Sequence, residues 1–133
     1  MATVKFNPQA GPIFLNVVSG PPCVGGFRIW YRNNLIGDVH QIYSNEPNLI
    51  HDQTPDNLVL PFSMDTIQNI TLRVVGHYGP LPNHTQIGVR YLFYQNNQLL
   101  DVTPKNYNEI QENHTPPPPY KQYNHDFEFK PIP

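Results

Sequence analysis

With 133 residues the chain suits one domain, large enough to bury about two thirds of its unfolded surface. Eight basic and ten acidic side chains give a net charge of −2, which argues against nucleic acid as a partner, since binding it needs a basic face that displaces counterions. Only 14% of residues are charged, whereas 16 are proline, 15 asparagine and 9 glutamine, a composition that suits short strands and turns and suits a helical bundle poorly.

A membrane helix needs ~20 continuous apolar residues and none occurs, so no membrane partner is expected. The start, MATVKFNPQAG, lacks the basic-then-apolar pattern of a signal peptide. The expectation is a soluble chain, with its compartment left open. The lone Cys23 has no internal disulfide partner, so the fold must rest on its core.

In chain order, residues 2–7 predict a short edge strand with Val4 and Phe6 on one face. Residues 13–18 predict a strand apolar on both faces, hence central or covered on both sides. Pro21 and Pro22 end it, because proline cannot donate to a ladder. Residues 27–32 alternate Phe27, Ile29 and Tyr31 with Arg28, Trp30 and Arg32. Asn33-Asn34 predicts a tight turn into residues 35–43, where Tyr31 would meet Ile36. Ile29 would then meet Asp38, a mismatch that a bulge at Gly37 would repair. Residues 44–57 read as a polar loop, and residues 58–62 as a short strand ended or edged by Pro61.

Residues 67–102 carry the clearest pattern. Ile70, Leu72 and Val74 share one face, and Ile87, Val89, Tyr91 and Phe93 share another. Folding about residues 79–82 would pair Val74 with Ile87 and Leu72 with Val89. Asn96-Asn97 tolerates positive φ and predicts a type I′ turn, pairing Phe93 with Leu100 and Tyr91 with Val102. Beyond Pro104 the periodicity stops. Residues 105–112 predict one helical turn, residues 115–120 a polyproline stretch, and Phe127 and Phe129 a last strand. The predicted fold is all-β: an antiparallel β-sandwich of about eight or nine strands, with a closed barrel second. Residues 1–103 form the predicted body. Residues 104–133 form a Pro-rich strap whose terminal strand packs on the same domain.

Arg28, Trp30 and Arg32 are the first candidate ligand-binding residues. A tryptophan standing outward between two guanidinium groups can stack on a sugar ring or anchor a protein partner; the plainer reading is an indole covered by a loop. His77 and His84 would face each other across a hairpin, but they make only half of a zinc site, so no metal is expected. His51, Asp52 and Asp56 read as turn chemistry rather than a calcium loop. Cys23 in GPPCVGG lacks an assigned base, and no serine sits in a G-x-S-x-G frame, so no catalytic residue and no cofactor are expected. Pro116 to Tyr120 contains P-P-x-Y, which makes Pro117, Pro118 and Tyr120 candidate partner-binding residues; the plainer reading is a rigid strap held down by Tyr120 and Tyr123. Asn69, Asn83 and Asn113 open formal N-glycosylation sequons.

The favoured function is a non-catalytic, lectin-like recognition module. Its many amides and aromatics suit neutral glycans better than anions. The alternative is a structural protein that forms homo-oligomers through sheet edges or the Pro-rich segment. An enzyme assembled from distant residues ranks third.

Overall fold

The computed structural model describes residues 1–20, 23–44 and 56–133. In chain order the strands are β1 (Ala2–Phe6), β2 (Ile13–Ser19), β3 (Cys23–Asn33), β4 (Val39–Ser44), β5 (Asp56–Val59), β6 (Ile70–Pro80), β7 (Gln86–Gln95), β8 (Gln98–Leu99), β9 (Val102–Thr103), β10 (Glu109–Asn113) and β11 (Lys121–Pro131). The described residues thus hold eleven strands rather than eight or nine, and one 3-10 turn, Ile67–Asn69. No described helix is long and apolar enough to cross a membrane.

The strands form two mostly antiparallel sheets, as a sandwich requires. One runs β4-β3-β6-β11-β1-β9; the other runs β10-β7-β2-β5, with β8 attached to β7. The exception in direction is β1, which pairs in parallel with β11 from Ala2–Phe127 to Phe6–Pro131.

The central prediction holds in its faces and fails in one pairing. Leu72, Val74, Val89 and Phe93 are fully buried. Yet β6 and β7 do not form a hairpin, because they lie in opposite sheets. Strand β6 is instead flanked by β3 over eleven registered pairs and by β11 over eight. Alternation requires only that two apolar faces meet, and faces can meet across a core as well as along a ladder. The Asn96-Asn97 turn forms as expected, with φ of 51° and 61°. Tyr94 pairs with Leu99, and the Leu100 N–H donates to the Phe93 carbonyl at 2.8 Å. The expected Tyr91–Val102 pair is absent, since Val102 has crossed to the other sheet and pairs with Val4.

Other local expectations shift. Strand β1 lies between β11 and the two-residue β9 rather than at an open edge. Tyr31 meets His40, and the bulge falls at Ile42, opposite the Ile29–Trp30 step, while Gly37 closes the loop with φ 78°. Residues 105–112 make a turn followed by β10 rather than a helical turn; Ile110 is its buried anchor, opposite Val89. The predicted loop over residues 44–57 lies mostly outside the described residues.

The core is aromatic at its centre. Phe93 meets Phe127 and Phe129 edge-on at 4.9 and 5.7 Å between centroids. Such pairs contribute ~0.5–1.5 kcal/mol beyond their burial. Tyr78 folds back over Gly76, where a Cβ would lie 2.3 Å from its ring, and its hydroxyl meets that of Tyr91 at 2.6 Å across the sheets. A fully buried hydroxyl pair satisfies both groups without water.

Candidate functional site

The outer face of the six-stranded sheet is largely polar where β3, β6 and β11 run side by side. Alternation sends Phe27, Ile29 and Tyr31 inward, so Arg28, Trp30 and Arg32 lie on the opposite, outer face, with Trp30 half-buried there. Register then builds a row across three strands, with Trp30 opposite Arg73 and Arg73 opposite Asp126. Arg73 donates from Nε to Asp126 Oδ1 at 2.7 Å and from Nη2 to Oδ2 at 2.9 Å. In the next row Arg32 lies opposite Thr71, whose Oγ1 accepts from Asn34 Nδ2 at 2.9 Å.

These rows and Val39 of β4 border an open groove of about 400 Å³, with Trp30 half-buried in its wall. That volume lies within the range of small-ligand sites, ~300–1,000 Å³. Arg28 is on the same face, opposite Val75, but does not line the groove.

The Arg73–Asp126 pair sets the electrostatics. The guanidinium holds the Asp126 carboxyl below the usual carboxylate range, and the carboxylate raises Arg73 in turn. Arg73 is 54% exposed and Asp126 29%, so screening leaves the pair little weight in stability. Its consequence is orientation, because a two-point contact fixes the guanidinium plane. Three of the five Arg73 N–H donors are not used by Asp126, and the carboxylate keeps lone pairs for further donors. The groove therefore offers an indole face, fixed donors and acceptors, and two hydroxyl-compatible groups in Asn34 and Thr71. These are elements of binding: an aromatic wall beside oriented polar groups.

Of the other candidates, His84 and Tyr120 come together, lining with Pro82 and Pro116 an open groove of about 560 Å³ that Cys23 and His77 do not line. His77 and His84 are not opposite neighbours. His77 lies on β6 with Nε2 3.1 Å from Gln122 Oε1, while His84 sits in the turn beyond. Among the described residues no three His, Cys, Asp or Glu side chains gather as a cation site. His51 and Asp52 lie outside the described residues. Cys23 is buried with Sγ 3.9 Å from the Gly88 carbonyl, and burial pushes its thiol up to about 11. A thiol so protonated is a poor nucleophile at neutral pH.

Pro117, Pro118 and Tyr120 are exposed at one end of the sandwich. The segment is tied down beside them: His114 Nε2 lies 2.5 Å from the Pro118 carbonyl oxygen. The Pro119 carbonyl sits where a Cβ on Gly79 would be, 1.9 Å away. Tyr123 packs on the core and stacks on Tyr78 at 6.1 Å, whereas Tyr120 remains 45% exposed.

Arg73, Asp126, Thr71 and Asn34 escaped the sequence reading. Arg73 looked like the polar half of an amphipathic strand, and nothing in the order of residues says that a segment 53 positions later lies beside it. Compared with family models, curated proteins and solved structures, the chain matches none of them.

Proposed function

We propose that this chain is a non-catalytic recognition module that binds glycans on the outer face of its six-stranded sheet. The observation carrying this reading is the row Trp30–Arg73–Asp126, half-open to solvent and bordered by Asn34 and Thr71. A pyranose presents an apolar C–H face and a rim of hydroxyls. The first suits an indole wall; the second suits fixed donors and acceptors beside it. A glycan array probed with the purified chain and with Trp30→Ala tests the reading. The chain binds a defined set of oligosaccharides and the variant loses them. Absence of binding by the wild-type chain to every glycan would remove the proposal.

A second reading, self-association, is favoured by the β3–β4 hairpin tip. Leu35, Ile36 and Val39 are 74%, 67% and 52% exposed there, at the edge of the six-stranded sheet. Such a cluster fits contact with another protein surface.

A further inference from the structure

Resting on the glycan reading, we infer that the groove selects a sugar bearing a carboxylate, with Arg32 as the residue that pairs with it. The amide-rich composition favours neutral ligands, but the groove itself is not neutral. Its lining holds two guanidinium groups, Arg32 and Arg73, and one carboxylate, Asp126. Asp126 is committed to Arg73 by two hydrogen bonds.

Among the described residues the remaining carboxylates near Arg32 form no ion pair with it. Glu128 accepts from Thr3 Oγ1 at 2.8 Å and lies 3.6 Å from Lys130 Nζ. Asp38, in the loop next to Arg32's partner Val39, lies 3.9 Å from His40 Nε2. Among the described residues Arg32 has no ion-pair partner, and it stands exposed at the groove's rim.

Spacing completes the argument. Trp30 and Arg32 are on the same face of β3 two residues apart, which sets them ~7 Å from each other along the strand. A pyranose lying on the indole reaches that far with an exocyclic carboxylate, and the planar guanidinium fork matches a carboxylate with two parallel hydrogen bonds. Uronic acids and sialic acids share this chemistry.

Calorimetry on the full chain tests it with two matched pairs of probes: oligogalacturonate against its methyl ester, and sialyllactose against lactose. A charge-assisted bond of this kind is worth roughly a ten- to hundredfold preference. The expected result is that preference for the acidic member of one pair, which also identifies the source of the carboxylate. Arg32→Gln lies on an exposed position and is expected to keep the fold. It should bind acidic and neutral members equally while Trp30→Ala weakens both. Equal affinity of the wild-type chain for acidic and neutral members, or an acid preference surviving in Arg32→Gln, overturns the assignment of Arg32 and leaves glycan binding standing. No binding of any probe by the wild-type chain, joined to a blank array, overturns the glycan reading itself.

Discussion

His125 points inward from β11, its ring edge-on to Tyr91 and Tyr107 at 5.3 and 5.2 Å and near-parallel to Phe127. Its Nδ1 is buried with no hydrogen-bond partner among the described residues. A proton there would put charge among aromatic rings, so burial lowers the imidazole below its ordinary value, an effect only partly offset by Asp126. The consequence for stability has a definite sign. The unfolded chain takes up this proton near pH 6.5 and the folded chain resists it, so His125's contribution is fully present above about pH 6.5. It is lost as the pH falls from there to the lowered folded value. Thermal melts should therefore show a midpoint that drops between pH 7.5 and 5.5, and His125→Phe should flatten that drop. An unchanged slope in the variant would assign the pH dependence to other groups. The carboxyls of Asp126 and Glu112, both lowered by cationic partners, act only further into acid.

Single side chains also hold whole elements in place. Gln95 ends β7 almost fully buried, and its amide faces the 7–12 connection between the two sheets. Nε2 donates to the carbonyls of Asn7 and Gly11, and Oε1 accepts from Asn7 N–H, each at 2.9 Å. Gln95→Leu keeps the bulk and abandons all three groups. Asn7 and Gly11 are themselves exposed residues, so water can reach part of what the amide leaves, and each bond is worth its net ~0.5–1.5 kcal/mol; denaturant unfolding should show a loss of about 1–3 kcal/mol, with the midpoint shifted and the m-value kept. A loss below about 0.5 kcal/mol would mean that water replaces the amide. The same contrast separates what the sequence makes legible from what it does not. Period-2 alternation in β3, β6, β7 and β11 is local, and it groups the side chains that share the buried face correctly. The Asn96-Asn97 turn is local too, and its register is correct. Neighbour choice is not local. That β11 lies beside β6, or that Gln95 reaches Asn7, depends on contacts across 45 to 88 residues, which no short pattern encodes. The candidate site is half-legible for that reason: β3 supplies Trp30 and Arg32 in plain view, while Arg73 and Asp126 become site residues only once β6 and β11 are side by side.

At the scale of the whole molecule, two sheets share one aromatic core and leave two kinds of surface. The hairpin tip with Leu35 and Ile36 is apolar, and its role is an oligomeric question. If it joins copies, light scattering should give a mass that rises with concentration and falls to the monomer in Leu35→Ser/Ile36→Ser; a monomer at every concentration excludes self-association. The sheet face is the polar surface, and its central claim is that a sugar lies on Trp30. Trp30 is the only tryptophan in the chain, so emission excited beyond the absorption of its eight tyrosines reports on that groove alone. Titration with whichever pair of probes binds in calorimetry, oligogalacturonate and its methyl ester or sialyllactose and lactose, should shift and saturate the Trp30 emission, with a midpoint equal to the calorimetric Kd. Heat of binding without any change in that emission would put the sugar elsewhere and contradict the account.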